Sequence, residues 1–324
     1  MFTATELLNR FNDYMTHERI DRCPTTLYEP IDYVLSMGGK RMRPVLLLLA
    51  YNLYRDDVER VMPQAIALET YHNYTLLHDD LMDKADVRRG KPTVHRKWDE
   101  NTAILSGDSM LVLAYQRMAR CEEALLKQVL DLFTETALQI GEGQQYDMEF
   151  ERRDDVTEDE YIEMIRLKTS VLLACALKIG AIMADAPVGD AANLYLFGVK
   201  VGLAFQLQDD YLDVYGDPAV FGKEIGGDIV SNKKTYMLIN ALNVANDRQR
   251  EELGRWLDAT EFDRKEKIAA VTRLYDEMGI DRLAQEKISC LFEESKRYLE
   301  ALDVSSVRKG ELAAYVQQLM IRQY

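Results

Sequence analysis

Apolar residues recur every three to four positions along nearly the whole chain, which is the spacing of helices that bury one face. Alternating β-branched runs bounded by turn residues, which would predict strands, are nearly absent. The seven prolines lie at apparent boundaries of the periodic segments, where they disturb a helix least. Thr157 and Glu160 have the spacing of a capping box at one helix start. The pattern predicts helices at 3–18, 27–37, 43–55, 62–83, 93–98, 101–122, 124–150, 157–185, 188–215, 233–246, 248–256, 262–276, 281–302 and 307–322.

One predicted helix ends in a cluster of carboxylates, here called the first acidic motif: Asp79, Asp80 and Asp83. Spacings of three and four residues place all three on one helix face. Two like charges about 4 Å apart repel by about 4 kcal/mol at an effective dielectric constant of ~20, so such a face favours a bound cation. Oxygen ligands with no cysteine nearby favour magnesium over zinc. A solvated acidic face is the alternative for one motif.

The same spacing returns far along the chain in helix 188–215. Asp209, Asp210 and Asp213 form this second acidic motif, preceded by Gln206. Two copies are harder to explain as solvated surface than one. The repetition therefore makes coincidence a poor explanation for either motif.

Basic segments lie close to the first acidic motif in sequence. Gly38–Pro44 combines paired glycines with three cations, which suits phosphate binding. It is not a P-loop, because no Ser or Thr follows the lysine and no strand precedes the glycines. His72 lies seven residues before Asp79 and so faces nearly the same way. More cations follow the motif in one short loop: Lys84, Arg88, Arg89 and Lys91. Acids beside such bases predict a metal diphosphate site, and a solvated basic loop is the alternative.

Three further segments give weaker signals. Polar residues interrupt apolar helices at Gly143–Asp147 and at Lys168–Ser170, where buried polar groups would need partners. The glycine-rich segment 216–232 contains Lys223 and precedes Lys233, so it is a candidate lid. An exposed helix side and a plain connecting loop are the respective alternatives.

Composition narrows the class of protein. No Ser/Gly/Pro-rich linker divides the 324 residues, which favours a single domain over 1–324. A net charge of −15 and a pI near 4.9 argue against nucleic acid as a partner. The four cysteines lack zinc or redox spacing and are expected to be reduced, mostly buried thiols of a cytoplasmic protein. No segment is expected to direct the chain to a membrane or insert it there.

Taken together, the motifs resemble those of the trans-isoprenyl diphosphate synthases, or polyprenyl synthetases, of the farnesyl and geranylgeranyl type. The resemblance rests on two D-D-x-x-D motifs, G-G-K-R-x-R-P, R-R-G, K-T and G-K, in order from about Tyr28 to Tyr236. It implies an all-α, single-domain bundle of long helices around a deep central cavity, usually as a homodimer. It also implies condensation of isopentenyl diphosphate with dimethylallyl, geranyl or farnesyl diphosphate. Magnesium is the implied cofactor, with about three ions per active site.

The resemblance also implies roles for individual residues. Asp79, Asp83 and Asp209 would bind magnesium, with Asp80, Asp210 and Asp213 as further ligands or as residues that orient them. The implied allylic diphosphate site comprises Arg88, Lys168, Thr169, Gln206, Lys223 and Lys233. The implied isopentenyl diphosphate site comprises Lys40, Arg43, His72 and Arg89. The expected catalytic set is Asp79, Asp83, Asp209, Lys168 and Arg88. Tyr74, with Thr75 beside it, would close the cavity floor and favour a farnesyl or geranylgeranyl product, although helix geometry turns Tyr74 away from Asp79.

Four alternatives remain open on the sequence. A terpene cyclase would be expected to replace the second motif with an Asn/Asp-Ser-Glu pattern. An HD-type phosphohydrolase could use His72 and His78-Asp79, but the second motif would then be idle. A non-catalytic partner subunit of the same fold would typically lose part of one acidic motif. A longer-chain polyprenyl diphosphate synthase would keep both motifs.

Overall fold

The computed structural model describes residues 1–18, 20–217 and 225–320. Within these ranges the chain is helical apart from one two-stranded antiparallel hairpin, which confirms the all-α prediction. The helices are α1 Ala4–His17, α2 Thr25–Ser36, α3 Met42–Asn52, α4 Met62–Met82, α5 Val94–Lys97, α6 Glu100–Met118, α7 Glu123–Phe150, α8 Glu158–Ile165, α9 Val171–Met183, α10 Val188–Tyr215, α11 Gly227–Val230, α12 Tyr236–Val244, α13 Asp247–Asp258, α14 Arg264–Met278, α15 Ile280–Glu300 and α16 Ser306–Met320. The hairpin strands are β1 Val87–Arg88 and β2 Lys91–Pro92, and Val58–Val61 forms a 3₁₀ turn.

Helix boundaries follow the apolar periodicity closely. The predicted capping box is present, since Thr157 Oγ1 accepts a hydrogen bond from Glu160 N at 3.3 Å and Glu160 accepts one from Thr157 N at 2.9 Å. The predicted helix 157–185 is interrupted, because Arg166–Ser170 forms a π turn between α8 and α9. Neither α11 nor the hairpin was predicted, because elements this short contain too few residues to show a period.

The chain forms two compact units, each discontinuous in sequence. The first unit comprises Met1–Thr134, Cys175–Leu194 and Leu302–Leu312. The second comprises Glu135–Ala174, Tyr195–Ala301 and Ala313–Tyr324. A single domain over 1–324 stays a prediction, as does the central cavity.

In the first unit, α4 packs against α3 and α6, while α1 packs on α3 and α2 on α6. Every residue of Val45–Asn52 is buried. The backbones of α3 and α9 touch at Gly180, where an added Cβ would overlap Leu47 O and lie 2.9 Å from Ala50 Cβ. This dense packing supports α4, whose C-terminal end carries the first acidic motif.

In the second unit, α12 packs against α8, α14 and α15, and α11 packs on α14. The second acidic motif lies in the last turns of α10. Within the described ranges, α10 is the one helix long and apolar enough to cross a membrane, with a mean hydropathy of 1.2 over its most apolar stretch. Because 61% of that stretch is buried inside the protein, α10 has the character of a core helix.

The four cysteines are unbridged, as predicted. The expectation that most are buried was wrong, because only Cys175 is buried while Cys23 and Cys290 are exposed. Cys23 lies in the turn before α2, and Cys290 lies on the outer face of α15, so neither position can bury a thiol.

The close approach at Gly180 gives a test of packing. Gly180→Ala should lower the free energy of unfolding by about 1–3 kcal/mol, because the new Cβ forces α3 and α9 apart. Gly254→Ala in α13 is the matched control, since no heavy atom lies within 4 Å of its added Cβ. Urea denaturation measures both variants. Equal stability of the two would contradict the packing described here.

Candidate active site

The three carboxylates of the first acidic motif differ in burial. Asp80 is 5% exposed, whereas Asp79 is partly buried and Asp83 is exposed. α4 ends directly before Asp83, whose N–H donates to Asp79 O at 2.9 Å. The motif thus directs one carboxylate into the unit and keeps the other two nearer its surface.

Asp80 is held by Arg88, which lies on β1 of the hairpin. Arg88 Nε donates to both oxygens of Asp80 at 2.8 Å, and a terminal nitrogen lies 2.7 Å from Oδ1. Burial raises the pKa of Asp80, and the positive charge of Arg88 opposes that rise. The Asp80 carboxylate therefore fixes the position of the hairpin that follows α4.

The two basic segments of the first unit meet. Gly38 and Gly39 have φ of +79° and +135°, and a Cβ on Gly39 would lie 2.9 Å from the guanidinium of Arg89. Arg89 donates to Gly38 O. Only glycine combines such backbone angles with this close approach. The structure thus places the loop before α3 against the loop after α4.

The cations of Gly38–Pro44 do not all point the same way. Arg41 is buried, where it pairs with Glu69 at 2.5 Å and donates to Leu35 O at 2.6 Å. Lys40 is exposed and Arg43 is partly buried. Arg41 therefore supports the loop, which leaves Lys40 and Arg43 as its candidate phosphate ligands.

His72 lies on α4 beside these cations. Burial disfavours its charged form, and Arg43 and Arg89 are close enough to add to that effect. Together they lower the pKa of His72 well below its ordinary value, so the imidazole is neutral at neutral pH. The structure thus brings three of the predicted isopentenyl diphosphate ligands together.

The two predicted length-determining residues have different environments. Tyr74 is partly buried, and its ring lies 4.8 Å from the His78 ring and 5.5 Å from the Tyr71 ring. Gly107 of α6 makes room for the His78 ring, since a Cβ there would lie 2.6 Å from His78 Cδ2. Thr75 Oγ1 donates to His72 O at 2.8 Å, so its hydroxyl is used within α4. Tyr74 therefore contacts other aromatic rings, whereas the Thr75 hydroxyl bonds to the backbone of its own helix.

The second acidic motif also has a buried middle carboxylate. Asp210 is 4% exposed and accepts hydrogen bonds from the Tyr161 hydroxyl and, at 3.1 Å, from Gln206 Nε2. Burial and the nearby Asp228 raise the pKa of Asp210 to about 7, while its hydrogen-bond donors oppose the rise. Asp209 and Asp213 are partly buried. Asp213 Oδ2 accepts a hydrogen bond from Asp228 N at 2.9 Å.

Two carboxylates that were not predicted as site residues join this cluster. Burial raises the pKa of Asp228 to about 6, with Lys233 opposing the rise and Asp213, Asp147 and Asp209 adding to it. Asp147 accepts a hydrogen bond from Lys168 Nζ at 2.6 Å, and Lys233 also helps to lower its pKa. The polar break at Gly143–Asp147 was a sequence signal for Asp147. Asp228 had none beyond the glycines before it, because α11 is too short to show a period.

The π turn carries Lys168 and Thr169. Two glycines allow other helices to pass close to it: a Cβ on Gly143 of α7 would lie 2.8 Å from Lys168 Cα, and one on Gly202 of α10 would lie 2.5 Å from Ser170 Cα. Backbone contact on two sides fixes the turn, and π turns are frequent at functional sites. Lys168 and Thr169 therefore project from a rigid segment.

Of the predicted site residues, Lys223 lies outside the described residues. The structure places the remainder in two groups. The first unit contains Lys40, Arg43, His72, Tyr74, Thr75, Asp79, Asp80, Asp83, Arg88 and Arg89. The second contains Lys168, Thr169, Gln206, Asp209, Asp210, Asp213 and Lys233.

The acidic motifs suit a particular way of binding a metal ion. No three His, Cys, Asp or Glu side chains within 1–18, 20–217 and 225–320 converge closely enough to hold an ion by themselves. Magnesium commonly takes one or two protein carboxylates and completes its coordination with water and substrate phosphates. The all-oxygen donors of both motifs fit that ion.

Comparison with known proteins assigns the chain to a family. Residues 24–278 match the family model described as polyprenyl synthetase. The chain is 36% identical over 316 residues to the short chain isoprenyl diphosphate synthase of Methanothermobacter thermautotrophicus, covering 96% of each chain. It is 43% identical over 220 residues to the geranylgeranyl diphosphate synthase of Methanosarcina mazei, covering 67% of this chain and 68% of that relative.

Solved structures agree with these relatives. A crystal structure of a geranylgeranyl pyrophosphate synthase matches with a TM-score of 0.95 and 42% identity, covering 100% of both chains. The geranylgeranyl pyrophosphate synthetase of Pyrococcus horikoshii matches with a TM-score of 0.91 and 31% identity, covering 98% of this chain and 97% of that one. The resemblance inferred from the motifs is confirmed, and the HD-type phosphohydrolase is excluded. The chain belongs to the polyprenyl synthetase family.

Proposed function

We propose that this enzyme transfers the prenyl group of an allylic diphosphate (dimethylallyl, geranyl or farnesyl) to isopentenyl diphosphate and releases a short all-trans prenyl diphosphate. One observation carries the proposal. In each acidic motif the middle aspartate is buried and held by fixed partners, while the flanking aspartates are less buried. The names of the relatives support the short-chain class of product.

The allylic diphosphate is assigned to the two acidic motifs. Asp79, Asp83, Asp209 and Asp213 would hold magnesium, about three ions per active site, and Asp80 and Asp210 would orient them. Bound magnesium would neutralise the charge that develops on the departing pyrophosphate. The diphosphate would also contact cationic side chains, namely Arg88, Lys168, Lys223 and Lys233.

Isopentenyl diphosphate is assigned to the basic loops of the first unit. Lys40, Arg43 and Arg89 would bind its phosphates as cations. A neutral His72 would donate one N–H without adding charge. The meeting of the Gly38–Pro44 loop with Arg89 supports this assignment.

The reaction requires a dry site with fixed charges. Breaking the allylic C–O bond leaves an allylic cation and pyrophosphate, and the cation is attacked by the double bond of isopentenyl diphosphate. Loss of a proton, with pyrophosphate as the base, restores neutrality at carbon. The protein's part is to bind both diphosphates, orient them and exclude water that would quench the cation.

Chain length is assigned to Tyr74. An aromatic cluster of Tyr71, Tyr74 and His78 would form a floor that stops growth at a farnesyl or geranylgeranyl product. Longer-chain synthesis and a non-catalytic partner role are the alternatives. Retention of both complete acidic motifs favours an active enzyme.

The proposal includes a cytoplasmic homodimer. Leu105 and Val112 lie seven residues apart on α6 and are 58% and 67% exposed. Large apolar side chains spaced two helical turns apart on one face favour contact with a second copy.

The reaction is tested with purified protein, labelled isopentenyl diphosphate and each allylic primer in turn. Extended products should form with magnesium, disappear with EDTA and return when magnesium is added in excess. Sizing the dephosphorylated products gives the chain length. Absence of extension with every primer would refute the proposal.

Loss of a carboxylate from either motif should abolish most activity. Asp79→Ala and Asp209→Ala should each lower turnover by about 100-fold to 1,000-fold, because charge on the leaving group loses its stabilisation. Asp131→Ala, at a largely exposed position on α7, is the matched control and should keep wild-type turnover. Circular dichroism should show that all three variants are folded. Wild-type turnover in Asp79→Ala would exclude Asp79 as an essential ligand.

Removing the ring of Tyr74 should lengthen the product. Tyr74→Ala opens the proposed floor, so chromatography of the dephosphorylated products should show species at least one isoprene unit longer. Tyr298→Ala on α15 controls for the general effect of losing a tyrosine. An unchanged product distribution in Tyr74→Ala would place the floor elsewhere.

A further inference from the structure

We propose that Tyr161 is a positioning residue for the second acidic motif, and that its hydroxyl sets the motif's affinity for divalent cations by holding Asp210. The inference rests on the proposed function, because it takes the second motif to bind metal. Tyr161 itself would touch neither metal nor substrate.

Both oxygens of Asp210 have defined donors. Tyr161 is 1% exposed, and its hydroxyl donates to Asp210 Oδ2. Gln206 Nε2, one turn earlier on α10, donates to Oδ1 at 3.1 Å. Because both oxygens of the Asp210 carboxylate accept hydrogen bonds, its side chain is held in one orientation. The last turns of α10, which carry Asp209 and Asp213, are held in place with it.

The support for Asp210 extends to the π turn. Thr169 Oγ1 donates to Gln206 Oε1 at 3.1 Å, which orients the amide with its nitrogen toward Asp210. Thr169 and Gln206, which are predicted as diphosphate ligands, thus also support Asp210.

The position of Tyr161 is itself fixed from two sides. The capping box of Thr157 and Glu160 begins α8 immediately before it, and Tyr161 N donates to Thr157 O at 3.0 Å. Tyr161 also belongs to the apolar core of the second unit. Its hydroxyl therefore reaches Asp210 from a rigid base.

The donors distinguish the two acidic motifs. Asp80 is held by the cationic Arg88, whereas the hydroxyl and amide that hold Asp210 are neutral. Neutral donors orient a carboxylate without cancelling its charge. The second motif is thus oriented by uncharged donors, whereas the first is oriented by a cation.

The test compares Tyr161→Phe with Tyr236→Phe. Tyr236 is a matched control because it is 4% exposed and belongs to the same apolar core. Binding of Mn²⁺ in the presence of inorganic pyrophosphate is measured by electron paramagnetic resonance of the unbound ion. Tyr161→Phe should weaken Mn²⁺ binding by about 10-fold or more, because it removes a residue that orients a metal ligand. Tyr236→Phe should bind Mn²⁺ as tightly as the wild type. Gln206→Met is a second variant expected to weaken binding in the same direction.

Repeating the change in an Asp210→Asn background shows whether the hydroxyl acts through Asp210. There Tyr161→Phe should cause no further loss of Mn²⁺ binding. The same fold-loss in both backgrounds would overturn the inference, as would wild-type binding by Tyr161→Phe. Failure of the wild-type protein to bind Mn²⁺ would instead refute the proposed function.

Discussion

Repulsion between clustered carboxylates is the constraint on which the rest of this structure depends. Each motif contains three aspartates within five residues near a helix end. Without a bound cation, their negative charges repel one another. In both motifs the middle carboxylate is turned inward and satisfied by fixed donors. That arrangement turns one carboxylate away from the shared face. The same carboxylate holds a neighbouring element in place: the hairpin at Asp80, and α8 at Asp210.

Close backbone contact supplies the rigidity that these charges require. Glycines allow α9 to touch α3, and allow α7 and α10 to approach the π turn. A side chain at any of these positions would push apart the elements that carry the charged residues. The packing of the buried helices therefore determines where the carboxylates and cations of the site can lie.

The sequence predicted what depends on local spacing. Helical periodicity gave the long helices, three- and four-residue spacings gave the shared acidic faces, and the capping box gave the start of α8. It could not predict partners that lie far away in the chain, such as Tyr161 with Asp210, or Glu69 with Arg41. Asp228 was missed because α11 is too short to show a period. Cys23 and Cys290 were misjudged because average burial of cysteine says little about one position.

The π turn at Arg166–Ser170 has a consequence for how this region is compared among proteins. A π turn contains about one residue more than an α turn, which rotates everything after it by roughly 100° about the helix axis. A helical wheel drawn through 157–185 as one continuous helix would assign the faces of α9 wrongly from Val171 onward. A relative that lacks the extra residue would need a one-residue gap here, and without it every downstream side chain would be compared with the wrong neighbour.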